Sequence, residues 1–337
     1  MTHPVISVCI ANFNGEDFIC ECIDSVLNQD TKLDIEIIVH DDASTDNSIT
    51  LIRSKYPQVK LIESKTNSGF CKSNNKMANI ARGEYLLLLN NDAQLFPDAL
   101  RALHDYASNA NTNSVIGLPQ YDYDNKQLLD IGYKLDFFLN PIPNKDFHKI
   151  NVAMVIGACL WIPNAVWQQI GGFPEWFGSL AEDMYICISA RLMGYPVIAL
   201  DHSGFNHHVG KSLGGGKVKS NQLQTTYSRR KLSERNKSFV MIICYPGLLL
   251  LIIAPLHFLL LYLEGIALTI IKRDSNIWQS IYKGLLTSIW SHKNEINTLR
   301  KKTQATRKIS TIRFLSVFVW YHYKIKMLFK HGLPILK

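Results

Sequence analysis

The chain has no pair of CxxC units and an odd number of cysteines. Its seven, Cys9, Cys20, Cys22, Cys71, Cys159, Cys187 and Cys244, sit mostly in apolar runs. That excludes a disulfide scaffold and a zinc ribbon, and fits buried small side chains in a reducing compartment. No GxGxxG follows a strand and no GxxxxGK[ST] occurs, which argues against a dinucleotide oxidoreductase and a P-loop NTPase. Gly214-Gly215-Gly216 follows no strand and reads as a flexible loop. There is no internal repeat. No signal-type segment opens the chain, because Met1-Thr2-His3-Pro4 runs straight into a predicted strand. An apolar fraction of 47% with 10% aromatics excludes a disordered or collagen-like chain. Acidic residues are scarce in one part only. Residues 216–337 hold 21 basic and 4 acidic side chains, net +17, whereas residues 1–215 hold 15 and 24, net −9. The overall +8 therefore hides an acidic body with a basic tail.

The first half alternates strands and helices. Val5–Ile10, Ile35–Val39, Val59–Glu63, Tyr85–Leu89 and Val115–Leu118 read as strands. Gly15–Asn28, Ser48–Lys55, Phe70–Arg82 and a segment from Pro97 to Tyr106 read as helices. Tyr85–Leu89 is apolar enough to require cover on both faces. The βαβα order predicts an α/β fold with a mostly parallel central sheet flanked by helices. Gln120–Lys149 is rich in Tyr, Asp, Asn and Pro and reads as loops. Val152–Ile162 and Val197–Leu200 return as strands, with helices at Pro163–Ile170 and Leu180–Met193.

Ligands of open parallel sheets bind at the carboxyl ends of the strands. Three polar clusters fall there: Asn12-Phe13-Asn14, His40-Asp41-Asp42 and Asn90-Asn91-Asp92. Each alone is ordinary turn chemistry; all three together favour a site for nucleotide, metal or phosphate.

These residues resemble the GT-A-fold, family 2 glycosyltransferases, in particular their non-processive, rhamnosyltransferase-like branch. The matching pieces occur in the family's order over residues 5–240. They are Val5–Ile10 with Asn12-Phe13-Asn14-Gly15, Ile37 to Asp46, Asn67-Ser68-Gly69-Phe70 with Asn74-Asn75, and Gly83-Glu84-Tyr85 through Asp92. Gly157-Ala158, Gly171-Gly172-Phe173, Glu182-Asp183 and His207-x-x-Gly210-x-Ser212 follow.

The resemblance implies donor contacts from Asn12, Asn14, Asp41, Asn67, Gly69, Asn74, Asn91 and Asp92, with Asp41 accepting from a pyrimidine imide. It implies a divalent cation, Mg²⁺ or Mn²⁺, held by Asp92 and His207 with help from the donor diphosphate and water. Gly157, Ala158 and Trp176 would lie on the acceptor side. Asp183 would be the general base and Glu182 the second choice, since neighbours on a helix diverge by ~100° and only one can face the site. The bland alternatives are a solvated helix N-terminus for Glu182-Asp183 and a surface histidine for His207. Asn90, Pro174, Tyr185 and Ser189 depart from the family pattern. They leave open a catalytically degenerate, membrane-bound carbohydrate-binding or scaffold protein. A processive polysaccharide synthase is a further relative, but its QxxRW motif is absent.

Phe239–Leu263 contains no charged residue, and the apolar run reaches Ile271 with one interruption, Glu264. About 20 apolar residues can cross a bilayer, although a buried soluble helix reads the same way. Both flanks are basic, against a single crossing. Pro246 and Pro255 could break the run into a re-entrant or in-plane hairpin. Ile309–Phe329 mixes aromatics with Arg and Lys, as suits a headgroup region; nucleic acid is the weaker reading.

The expected layout is a catalytic domain over 1–215, a basic linker over 216–238, an apolar membrane-associating segment over 239–271 and a basic amphipathic tail over 272–337. The expected function is inverting transfer of a sugar, rhamnose among the candidates. It would pass from a nucleoside-diphosphate donor to a lipid-linked or cell-surface glycan (a polyprenyl carrier among them). The expected place is the cytoplasmic face of the cell membrane, on an anionic surface and without nucleic acid.

Overall fold

The computed structural model describes residues 3–110, 112–208, 215–219 and 222–337. Two compact units are present. One comprises Met1–Tyr133, Pro143–Arg191 and Tyr195–Val209, the other Lys134–Ile142, Leu192–Gly194 and Gly210–Lys337.

The first unit is built on strands β1 (Ile6–Asn12), β2 (Ile35–Asp41), β3 (Lys60–Glu63) and β4 (Tyr85–Asn90). Between them run α1 (Ile19–Leu27), α2 (Ser48–Lys55) and α3 (Phe70–Ile80). Strand β5 (Ala93–Leu95), α4 (Ala99–Asn109) and β6 (Val115–Gly117) follow. Next come β7 (Gln120–Asp122) and β8 (Leu128–Asp130), then β9 (Tyr133–Asp136) and β10 (Pro141–Pro143), which fall largely in the second unit, and in the first again β11 (Cys159–Pro163), α5 (Asn164–Ile170), α6 (Glu182–Leu192), β12 (Val197–Ala199) and β13 (Phe205–His207). The main sheet has the order β12-β6-β11-β4-β1-β2-β3. Parallel pairing of β1 with β2 and β4, and of β2 with β3, requires the crossover helices that α1, α2 and α3 supply. β1 and β4 are buried almost throughout because helices cover both faces. On α1 the buried Ile19, Cys22, Ile23 and Val26 recur at three- and four-residue spacing, one helical face against the sheet.

The α/β architecture agrees with the expectation, and three local readings change. The helix expected from Gly15 begins at Ile19, because Phe18 and Ile19 first close a turn by donating to the Gly15 carbonyl. The strand expected over Val152–Ile162 is confined to Cys159–Pro163 and runs antiparallel to both β4 and β6. The stretch 120–149 holds the short strands β7 to β10 rather than loops alone. Strands of three or four residues leave too few positions for alternation to show.

In the second unit α7 (Tyr227–Cys244) and α8 (Gly247–Lys272) are separate helices, divided at Tyr245-Pro246. The apolar run is therefore not one segment. Phe239, Val240, Met241, Ile243, Cys244 and Tyr245 are fully buried. The last carbonyls of α7 are capped by side chains: Arg300 donates to Ile242 and Tyr245, and Gln304 to Ile243 and Cys244. Pro255, offered above as a break, lies inside the continuous α8. Ile309–Phe329 is divided among a helix at Thr311–Leu315, a strand at Phe318–Val319 and a helix at Tyr323–His331. Phe314 there is buried.

Candidate active site

Three strand ends meet at the carboxyl edge of the sheet. Asn12 closes β1 and is buried. Its amide donates to Asp41 Oδ2 at 2.8 Å and Ser48 Oγ at 3.0 Å, and its oxygen accepts from Asn91 Nδ2 at 2.8 Å. One side chain thus ties β1 to β2, α2 and the turn after β4. Gly15 must be glycine for this. A Cβ there would stand 2.1 Å from Asn12 Oδ1 and 2.3 Å from Asn91 Nδ2. Asn14 has a left-handed φ of 48° and its oxygen accepts from the Thr45 amide at 2.9 Å. Asn14 and Phe13 are exposed at the rim.

Asp41 is fully buried. Its oxygens accept from the Ser44 amide at 2.9 Å, the Ser44 hydroxyl at 2.6 Å and Asn12. This carboxylate holds the floor of the cluster together. His40 alternates to the other face of the sheet, where its Nε2 meets Ser64 Oγ at 3.0 Å and Lys76 Nζ at 3.3 Å. Burial and Lys76 hold its pKa below the usual value.

Asp42, named in the sequence only as part of the His40-Asp41-Asp42 cluster, positions the next loop. It accepts from the Ser68 amide and hydroxyl, both at 2.8 Å, and the Gly69 amide at 2.7 Å. Burial pushes its pKa up, but these hydrogen bonds outweigh it and hold the carboxyl below its usual value. Gly69 adopts φ +90°, a left-handed geometry that glycine permits, and opens α3. Asn67 is exposed on this loop. Asn74 is buried and donates back to the Phe70 carbonyl of its own helix at 2.9 Å. Its neighbour Asn75 clamps Phe173 through two backbone bonds of 2.9 Å.

After β4, Asp92 is buried, and its Oδ1 lies 3.1 Å from His207 Nε2. The antiparallel pairing of β13 with β5 brings His207 opposite Ala93 and so beside Asp92. His207 Nδ1 faces Gln120 Nε2 at 3.1 Å, while Gln120 Oε1 and Asn90 Oδ1 are buried without a hydrogen bond. Gln120 was hidden within a stretch read as loops. Among the described residues no group of three or more His, Cys, Asp or Glu is placed to hold a metal. The donor set still fits a hard divalent cation that draws its remaining oxygens from a ligand: one carboxylate, one imidazole and the unsatisfied Asn90 oxygen on the same turn. His208 stacks on Tyr123, with centroids 3.5 Å apart, and meets the tilted Phe18 ring at 4.7 Å. Gly210 and Ser212 lie outside the described residues.

Asp183 stands in the first turn of α6. Its Oδ2 accepts from the Gly157 amide at 3.1 Å and its Oδ1 from the Met184 amide at 2.7 Å. A Cβ on Gly157 would lie 3.5 Å from the Asp183 Cβ and 4.0 Å from the Phe70 ring, so Asp183, Gly157 and the start of α3 are neighbours. Asp183 is partly exposed and Glu182 buried. Just before them Leu180 (φ 72°) and Ala181 (φ 64°) are left-handed, a costly conformation for residues with a Cβ. Ala158 is buried, and its carbonyl accepts from the Asn90 amide at 3.0 Å. Trp176 lies on a 3-10 turn, edge-on to Phe177. That turn ends at Gly178, whose carbonyl accepts from Cys71 of α3.

Residues 7–169 match the family model described as Glycosyl transferase family 2, slightly under half of the chain. The chain is 28% identical over 191 residues to a chondroitin synthase of Pasteurella multocida (strain Pm70), which covers 55% of this chain and 19% of that protein. It is 37% identical over 117 residues to the poly(ribitol-phosphate) beta-glucosyltransferase of Bacillus spizizenii, covering 33% of this chain and 18% of that protein. The chain thus spans about a fifth of the length of these relatives. Among solved structures it resembles S. aureus TarS 1-349 (TM-score 0.54, 16% identity, 89% of this chain and 88% of that one). It also resembles the mannosyltransferase PcManGT from Pyrobaculum calidifontis (TM-score 0.53, 17% identity, 90% and 88%). Both likenesses concern the fold. Over residues 7–169 the chain is therefore similar to glycosyltransferase family 2.

Proposed function

We propose that the chain is an inverting glycosyltransferase. It moves a sugar from a nucleoside-diphosphate donor to a hydroxyl of a lipid-linked or cell-surface glycan, at the cytoplasmic face of the cell membrane. The observation that carries this reading is the placement of Asp183. Its carboxylate is fixed by the Gly157 and Met184 amides, partly open, and next to the glycine-opened start of α3. An ionised carboxylate is an acceptor only, the character a general base needs toward the acceptor hydroxyl. Asp183 takes that proton as the hydroxyl oxygen attacks the anomeric carbon from the face opposite the leaving group. Glu182 beside it is buried, which makes it the second choice.

The donor nucleotide lies over Asn12, Asn14 and the Asn67–Gly69 loop, which Asp41 and Asp42 hold from beneath. Asn91 braces Asn12, and Asn74 braces the start of α3. Asp92 and His207 would hold Mg²⁺ or Mn²⁺, which when bound offsets the charge of the leaving diphosphate. Solved proteins of this fold carry such ligands: PcManGT holds GDP-Man and Mn2+, and TarS 1-349 holds UDP-GlcNAc. Gly157, Ala158 and Trp176 border the acceptor side. Rhamnose is the sugar the motif pattern favours.

The test is a panel of nucleotide sugars, with rhamnosyl, glucosyl and mannosyl donors included, given to membranes containing wild type or Asp183→Asn. Turnover of at least one donor by wild type and none by the variant is expected. Donor binding with no turnover by wild type would move the assignment to a degenerate carbohydrate-binding protein, the reading that Asn90 favours.

A further inference from the structure

Helix α8 is long and apolar enough to cross a membrane, yet only 17% of its most hydrophobic window is buried. A core helix would be mostly covered. Its outer stripe, Leu248, Leu251, Ile252, Leu259, Ile266 and Ile270, recurs at three-, four- and seven-residue spacing and is exposed.

The inner face is different in kind. Leu261 and Leu268 are buried in one cluster with Ile277, Ile281, Tyr282 and Leu285. Gly265 admits the Tyr282 ring so closely that a Cβ would lie 2.6 Å from it. His257 Nε2 meets Ser238 Oγ of α7 at 2.9 Å. Glu264 is paired with Arg230 at 2.5 Å and Lys324 at 2.8 Å. Lys324 also meets Glu234 at 2.8 Å, and Glu234 meets Lys237 at 3.0 Å.

We propose that α8 lies in the plane of an anionic lipid leaflet, its outer stripe at the acyl boundary, and does not cross the bilayer. This rests on the membrane part of the reading above and on none of its chemistry. A helix of this length extends about 39 Å, so crossing would carry Glu264 into hydrocarbon. Glu264 would then leave Arg230 and Lys324, and separating this partly buried ion pair strands every partner. Lying flat keeps the pairs and covers the stripe.

The occupant is lipid rather than a second copy on grounds of charge. Residues 216–337 carry 21 basic and 4 acidic side chains, so two copies apposed on this unit would set like charge against like. Anionic headgroups complement it. Lys272 and Arg273 close the stripe at its C-terminal end. The same unit exposes Trp290, with Lys293 Nζ 4.2 Å from its ring centroid, and Trp320, side chains with an apolar body and a polar tip.

The test uses the full chain with an epitope tag at each end, expressed in a bacterial membrane. Both tags should be cut by protease in inside-out vesicles and both protected in spheroplasts. Tags on opposite sides overturn the in-plane arrangement and leave membrane association standing. Tags absent from the membrane fraction overturn the membrane reading itself. In flotation, purified protein should bind vesicles with phosphatidylglycerol at least tenfold better than pure phosphatidylcholine. Ile252→Glu with Leu259→Glu should lower that binding at least tenfold at unchanged Tm. Equal binding by the variant, or concentration-dependent dimerisation in place of lipid binding, contradicts the proposal.

Discussion

The two units sort the same residue types in opposite ways. In the acidic unit the apolar side chains fill a sheet core, and the buried carboxylates Asp41 and Asp42 are satisfied by neutral hydrogen-bond donors. Asp41 is held by Asn12 and Ser44, and Asp42 by Ser68 and Gly69. In the basic unit the carboxylates Glu234 and Glu264 are held by Arg230, Lys237 and Lys324, and much of the apolar surface of α8 faces outward. The difference teaches what each interior is for. Hydrogen-bonded carboxylates fix loop backbones at the edge of a site. Ion-paired ones fix one face of a helix whose other face is exposed, the face proposed above to meet lipid.

The comparison can be broken or sharpened at five points. Asp183→Asn should lower transfer about 10²–10⁴-fold, read as donor turnover, with donor Kd unchanged. Next, Asp92→Ala should cost more than roughly 100-fold in metal-dependent donor affinity, read by calorimetry with and without Mn²⁺, whereas Gln120→Ala, acting through His207, should cost roughly 10–100-fold. In the basic unit, Glu264→Ala leaves Arg230 and Lys324 short of a partner and should destabilise by about 2 kcal/mol in urea unfolding, between an exposed and a buried pair. A loss no greater than that of Asp42→Ala would erase the contrast between the two interiors. The fourth concerns acid. Asp42 has a folded pKa below its unfolded one, so its contribution is complete above the ordinary carboxylate value and is lost as pH falls through the lowered value. Hydrogen exchange at the Ser68 and Gly69 amides should therefore stay protected at pH 5 and speed up only in stronger acid. The smallest effect is Ala181→Gly, which should stabilise by about 1 kcal/mol through relief of a left-handed residue. Thermal unfolding reads it.

Much of the fold was legible in the sequence because burial on both faces writes itself as continuous apolar runs. Ser48–Lys55 appears as read, and Tyr85–Leu89 is extended by one residue. The reversed direction of β11 was not legible, since a buried strand carries the same apolar pattern whichever way it runs. The break at Pro246 was legible from the proline, but which side of it would be buried was not. Phe239 and Leu248 are alike in composition, but one is buried and the other exposed only through tertiary packing. At the site, the strand-end clusters announced Asn12, Asp41 and Asp92. The parts played by Asn75, which meets Phe173, and by Gln120, which meets His207, depend on partners 98 and 87 residues away and leave no local trace.

The central claim is that the ends of β1, β2 and β4 form one metal-assisted nucleotide site. Titration of UDP and GDP into the full chain, with and without Mn²⁺, tests it most directly, combined with hydrogen exchange along residues 12–15 and 67–69. The account predicts saturable, Mn²⁺-dependent binding of at least one nucleotide, protection of both segments, and loss of the Mn²⁺ dependence in Asp92→Ala. Binding that ignores Mn²⁺ and Asp92, or no binding of either nucleotide, would contradict it.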